Sequence, residues 1–193
     1  MERLALEPAQ ALGGDGESRF QRAPVRSERL ALVARQPLLL LARVVTFRDV
    51  PTHVDDRGSV VELFDPRWGW HPDPLVFVYS FTIRPGKIKG WGLHKSHDDR
   101  YFLLQGDMEV VLYDERDDSP TRGLVAKVYL SELQRRLMSI PAGVWHADHN
   151  IGLRDAVVVN FPTIPYDHTS PDKYRLPLDT DRIPYRFEPS RGW

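Results

Sequence analysis

The chain has 193 residues, which is long enough to build one sizeable hydrophobic core. Its 41% hydrophobic and 27% charged residues are ordinary for a globular protein. A formal net charge of −1 gives no electrostatic reason to expect nucleic acid or an anionic membrane surface as a partner. Without cysteine, the chain has no disulfides, thiol nucleophiles or cysteine metal ligands. We therefore expect a one-domain cytoplasmic protein.

The first 40 residues mix Ala, Gly, Arg and Glu without a sustained period, which predicts a flexible N-terminal segment over residues 1–40. The longest apolar stretch, residues 38–45, is interrupted by Arg43. It is much shorter than the ~20 residues that a membrane span needs. We expect no membrane segment and a single domain over residues 41–193.

From residue 43 onward, short β-like runs alternate with turns, and no segment predicts a long helix. Most of the 16 prolines and 13 glycines fall between these runs. The pattern predicts an all-β protein, a jelly roll of two packed antiparallel sheets. Residues 162–193, rich in Pro and Tyr, are expected to form an irregular C-terminal arm over the barrel. The β-like runs are 43–47, 58–64, 76–83, 101–104, 108–113, 124–130, 137–140 and 156–161.

One turn has the spacing Pro-x-Gly-x-x-His-x-x-x-Asn, with Pro141, Gly143, His146 and Asn150. A proline fixes φ where the chain enters a turn, and a glycine two residues later supplies the positive φ of a tight reversal. The following strand then begins at a set offset. His146 can therefore point into the mouth of a barrel.

A second pattern lies upstream: Gly86, Gly92, His94, Asp99 and Gly106. Together the two patterns resemble the two signature motifs of the cupin family, which implies a cupin double-stranded β-helix (jelly-roll barrel). Alternate side chains of each strand enter a barrel interior, so His94 and His146 are expected to share one cavity. Gly92 and Asp99 stand where metal-binding cupins carry His and Glu. We therefore expect an edited metal site, and no cofactor.

Within the cupins, residues 55–187 resemble the dTDP-4-dehydrorhamnose 3,5-epimerases. The resemblance rests on 55–62 (Asp-Asp-Arg-Gly-Ser-Val-Val-Glu), 92–94 (Gly-Leu-His), 114–121 with its Ser-Pro-Thr end, 130–131 and 140–146. It implies a homodimer that acts on a small molecule, a nucleotide-linked keto sugar. Four roles are implied in addition: His94 as the catalytic base, Arg57 on the diphosphate, Glu62 on the nucleotide and His146 beside the sugar.

The chain departs from the epimerase pattern at four places. Trp91 replaces an arginine, Asp99 replaces an active-site lysine, and Asn160 stands in the substrate pocket where the family has its catalytic tyrosine. An amide cannot act as a general acid. The family's aspartate that orients the catalytic histidine falls in a C-terminal stretch that we expect this chain to lack.

Two other functions remain open. A metal-dependent cupin enzyme would use His94, Asp99 and His146 as ligands, because two imidazoles and a carboxylate suit Fe(II), Mn(II) or Zn(II). A noncatalytic sugar or sugar-nucleotide binding protein would need only the pocket. His97 and His149 are interpreted as rim residues, and Asp114 as a turn residue.

Overall fold

The computed structural model describes residues 45–187, so the expected N-terminal segment, residues 1–40, lies outside the described residues. Two five-stranded antiparallel sheets and a separate two-stranded hairpin form the fold. The first sheet has the order β1-β9-β6-β11-β4, the second the order β12-β5-β10-β7-β8, and the hairpin is β2-β3. The strands are β1 (Thr46–Asp49), β2 (Thr52–Asp55), β3 (Gly58–Val61), β4 (Tyr79–Ile83), β5 (Ile88–Leu93), β6 (Asp99–Gln105), β7 (Asp107–Asp114), β8 (Val125–Ser131), β9 (Arg136–Ile140), β10 (Val144–Asn150), β11 (Ala156–Asn160) and β12 (Tyr174–Arg175).

The prediction of an all-β jelly roll with two packed sheets is confirmed. Within residues 45–187 the single helical element is a 3-10 turn, Pro66–Trp68, and no helix is long and apolar enough to cross a membrane. Each of the eight β-like runs corresponds to a strand. The strands that those runs did not include are β2, β5, β10 and β12.

Alternation of side chains along the strands builds the core between the two sheets. On β7, Met108, Val110 and Leu112 are fully buried in this core, while Val111 points to the outer face of the second sheet. The same period of two turns Val144 inward and Trp145 outward on β10. The alternation along each strand therefore determines which side chains point between the sheets, including the polar ones.

The outer face of the second sheet is covered by the segment that follows β11. Ile183 is fully buried against Trp91, and the main chains of Trp91 and Leu176 exchange two hydrogen bonds of 3.2 Å each. Residues 174–176 thus pair with β5, and Ile183 packs on the outer face of the same sheet. This contact brings residues 172–175 to one end of the sandwich, beside the end of β5.

Gly90 allows β5 to approach β10 closely. A Cβ atom at this position would lie 2.5 Å from the Cβ of Ala147 and 2.6 Å from its Cα, and Gly90 also has a φ of +150°. Residues other than glycine rarely adopt that φ, and two carbon atoms cannot approach each other to 2.5 Å without a steric clash. A glycine is required here by both backbone conformation and space.

We expect Gly90→Ala to lower the free energy of unfolding by about 1–3 kcal/mol more than Gly58→Ala does, because overpacking forces the two strands apart. Gly58 is a matched control, since its φ is +147° but nothing lies within 4 Å of its Cβ position. Chemical denaturation of both variants measures the difference. Equal losses of stability would mean that packing between β5 and β10 does not require the glycine.

Candidate active site

Polar side chains from both sheets converge at one end of the sandwich, around a cavity of about 300 Å³. The sequence prediction that His94 and His146 share a cavity agrees with this placement. The second sheet contributes His146 and Asp148, the turn directly after β5 contributes His94, and the first sheet contributes Tyr79, Asp99 and Tyr101. These side chains point between the two sheets, at the end of the apolar core.

Asp99 is the centre of this cluster and is only 2% exposed. Its Oδ2 atom lies 3.2 Å from Nε2 of His94 and 3.5 Å from Nε2 of His146. Its Oδ1 atom accepts a hydrogen bond of 2.6 Å from Nδ2 of Asn160. Burial alone would raise the pKa of Asp99, but these contacts hold it below the ordinary value. Asp99 therefore carries a negative charge at neutral pH.

His94 is held from two sides. Its Nδ1 atom donates a hydrogen bond to the main-chain carbonyl of Asp172, so the neutral ring carries its proton on Nδ1 and presents the lone pair of Nε2 beside Asp99. Burial disfavours the charged ring, yet Asp99 and the Asp172 carbonyl outweigh burial and raise the pKa of His94. The side chain is therefore a stronger base than a free imidazole.

The C-terminal stretch does supply a group that orients His94, whereas the sequence predicted that this stretch would lack one. The main chain of Asp172 takes this place. The Asp172 carboxylate accepts hydrogen bonds from the amides of Lys95 and Ser96 and lies 3.0 Å from Nδ1 of His97. Asp172 thereby fixes the turn that carries His94.

His146 differs electrostatically from His94, although the centroids of the two rings are 5.7 Å apart. Burial lowers the pKa of His146 to about 4, and the neighbouring His94 adds to this effect. His146 is therefore neutral over the physiological pH range. Two histidines that contact one carboxylate are thus held with different pKa values, as expected for distinct chemical roles.

Tyr79 and Tyr101 of the first sheet also line the cavity, whereas Asn160, expected in the substrate pocket, is fully buried and does not line it. Asn160 is paired in register with Tyr79, and its Nδ2 atom donates a hydrogen bond of 2.9 Å to the Tyr79 hydroxyl. The Tyr101 hydroxyl donates to Oδ2 of Asp148 over 3.4 Å. Burial, reinforced by Asp99, raises the pKa of Asp148 to about 7 and that of Tyr79 to about 12. Sequence reasoning did not place Tyr79 or Asp148 in the site.

The ligand set of the alternative metal site also meets in this cavity. One donor atom each from His94, Asp99 and His146 lies within 4.8 Å of the others. Separations of 3.2 and 3.5 Å fit ligands that share an ion with bonds of about 2.1 Å. The three residues would hold a divalent ion and leave positions open. Position 92, which would point toward His146, is a glycine and adds no ligand.

Arg57 and Glu62 do not reach this cavity. Both are exposed, Arg57 lies in the turn of the β2-β3 hairpin, and its side chain is 83% exposed and paired with Asp55 over 2.5 Å. Among the described residues, the cations that border the cavity are Lys89, Lys173 and Arg175. Two of them belong to the arm, whose position no motif in the sequence indicated.

Asp114 accepts hydrogen bonds from Arg116, Ser119 and Thr121, as expected of a turn residue. His97 contacts Asp172 and stacks near His94 with ring centroids 4.2 Å apart, so it is closer to the cluster than a rim residue would be. Trp91 is fully buried under the arm.

Comparison with known proteins relates the chain to proteins of glycan and polysaccharide biosynthesis, although no family model matches the chain. The chain is 36% identical over 137 residues to the probable low-salt glycan biosynthesis epimerase Agl13 of Haloferax volcanii, covering 70% of this chain and 87% of that protein. It is 33% identical to the spore coat polysaccharide biosynthesis protein SpsL of Bacillus subtilis, covering 74% and 94%.

Among solved structures, a dTDP sugar isomerase from Desulfovibrio desulfuricans superimposes with a TM-score of 0.68 and 27% identity, over 73% of this chain and 88% of that one. Fold and site thus define a cupin with a histidine-carboxylate cluster in its barrel mouth. Within the cupins, the chain belongs to the family of epimerases related to dTDP-4-dehydrorhamnose 3,5-epimerase.

Asp99→Asn is expected to lower the pKa of His94, because removing the negative charge destabilises the imidazolium form. A titration of the imidazole carbon-bound protons by NMR measures the change. Asp117→Asn is the control, since the Asp117 side chain is 90% exposed in a surface turn. An unchanged or raised His94 pKa in Asp99→Asn would contradict this account of the site.

Proposed function

We propose that the protein is an epimerase that acts on a nucleotide-linked keto sugar by removing the proton α to the carbonyl. The observation that carries the proposal is the His94 imidazole, which borders the cavity and is held between the Asp172 carbonyl and the Asp99 carboxylate. The related epimerases and sugar isomerase supply the substrate class.

The chemistry follows from the charges around His94. Neutral imidazole accepts the proton at Nε2, and the imidazolium that forms gains the attraction of Asp99. His146 stays neutral and lines the same cavity, where it can hydrogen-bond the sugar without adding a charge. Deprotonation comes first in the reaction, because the enolate must form before the α carbon can be reprotonated on either of its faces.

The nucleotide part of the substrate is proposed to be bound across a homodimer. Arg57 lies on the β2-β3 hairpin and Glu62 directly follows it; Val54 and Val60 of the hairpin are 76% and 67% exposed, and within residues 45–187 β1 and β4 are edge strands. Exposed apolar side chains and unpaired edges favour association with a second chain. In that arrangement the hairpin of one protomer would reach the cavity of its partner. A cytoplasmic location is part of the same proposal.

His94→Asn is expected to abolish the exchange of the substrate's α proton with solvent, with a fall of about 100-fold or more, since an amide cannot act as the base. The measurement is NMR of dTDP-4-keto-6-deoxyglucose, and of its UDP analogue, incubated with enzyme in D₂O. Nucleotide binding should persist in His94→Asn. Binding without exchange by the wild-type protein would favour the noncatalytic binding function instead.

Chelation distinguishes the metal-dependent alternative in the same assay. Exchange should survive dialysis against EDTA if His94 acts as a free base. Loss of exchange on chelation, with recovery on adding Fe(II), Mn(II) or Zn(II), would contradict the metal-free mechanism and support His94, Asp99 and His146 as ligands.

Arg57→Ala is expected to weaken dTDP binding by ~1.5–3 kcal/mol, because a charge-assisted contact with a phosphate is lost. Arg67→Ala is the matched control: its side chain is 87% exposed and is paired with Asp65 at the same two-residue spacing. Calorimetry measures binding, and light scattering measures the mass. Equal affinities of the two variants, or a monomer mass at micromolar concentration, would contradict binding across a dimer.

A further inference from the structure

We infer that Tyr79 delivers the proton that completes the inversion, from the face of the sugar opposite His94. The inference rests on the proposed function and adds to it a second catalytic residue. It is carried by the position of Tyr79, which lines the cavity, and by the hydrogen bond that its hydroxyl accepts.

Inversion at a carbon needs two groups on opposite sides. If the base that removed the proton also returned it, the carbon would regain its original configuration. A donor must therefore face the planar enolate from the other side. In this fold the two sides of the cavity are the two sheets, and His94 follows β5 of the second sheet while Tyr79 is on β4 of the first sheet.

The hydrogen bonding of Tyr79 leaves its proton available. The hydroxyl oxygen accepts from Nδ2 of Asn160, and Asn160 is in turn held by Asp99 and by the main-chain N–H of Arg100, which donates to its Oδ1 atom. Because Asn160 supplies a donor, the Tyr79 O–H can point elsewhere. Tyr79 also borders both the main cavity and an adjoining one of about 240 Å³, and His94 borders the same two.

Tyr101 is the other phenol of the cavity and is less suited to the role. Its hydroxyl donates to the carboxylate of Asp148, so its proton is already committed, and the residue is only 3% exposed. Tyr79 is 36% exposed, which allows both contact with a substrate and recovery of a proton from solvent. The two phenols are thus distinguished by their partners.

The reaction balances with these groups alone. His94 breaks the α C–H bond and takes the proton on Nε2, and the electron pair moves into the enolate. The enolate carbon then forms a new C–H bond with the Tyr79 hydroxyl proton, which leaves a phenolate that the Asn160 N–H stabilises. Solvent removes the proton from His94 and returns one to Tyr79. No oxidant, reductant or further reactant is needed.

The test separates exchange from inversion in Tyr79→Phe. With dTDP-4-keto-6-deoxyglucose and its UDP analogue in D₂O, the variant should still incorporate deuterium into recovered substrate, because His94 is intact. Formation of the inverted sugar should fall by about 100-fold or more. Tyr129→Phe is the control, since Tyr129 is 56% exposed on β8 and does not border the cavity. Thermal unfolding and dTDP binding, measured alongside, should match the wild type.

The outcomes are distinct. Inversion at the wild-type rate in Tyr79→Phe would overturn the role of Tyr79 and leave the proposed function standing. Loss of exchange together with inversion, or loss of dTDP binding, would equally overturn it, since a proton donor acts only after the enolate has formed. If the wild-type protein exchanges no proton with either sugar nucleotide, the proposed function fails and the role of Tyr79 fails with it.

Discussion

The rest of the site depends on a single buried charge, the carboxylate of Asp99. A carboxylate that is 2% exposed is costly unless it is paired and hydrogen-bonded. The fold meets this requirement with two imidazoles from the second sheet and an amide from the first. Because these partners must lie around one carboxylate, the polar end of the sandwich has a defined geometry, and the same contacts set the basicity of His94.

The two-sheet architecture converts this cluster into a site with two chemically different sides. The two imidazoles come from the second sheet and the turn that follows β5, and the phenols of Tyr79 and Tyr101 and the Asp99 carboxylate come from the first. A planar enolate between the sheets would meet a base on one face and a hydroxyl on the other. Gly92, whose Cβ would lie 3.4 Å from Nε2 of His146, leaves room in the cavity on the imidazole side.

The segment after β11 links the stability of the fold to the chemistry of the site. Ile183 buries itself against Trp91, and the main chain of Leu176 pairs with Trp91 on β5. This packing carries Asp172 to His94, where a carbonyl can only accept a hydrogen bond and therefore fixes the tautomer of the ring. The orienting group is a main-chain carbonyl, which every residue carries, so no motif in the sequence could indicate it.

The sequence by itself determined the all-β class, the two turn motifs and the convergence of His94 with His146, because proline, glycine and the strand period act locally. It did not indicate β5, since Gly90 and Gly92 have low strand propensity and the strand exists through its pairing with β10. The placement of Tyr79 against Asn160, of Asp148 beside Tyr101 and of Asp172 beside His94 was decided only by tertiary structure. These contacts join residues 47 to 81 positions apart, and their distances depend on how sheets and arm pack.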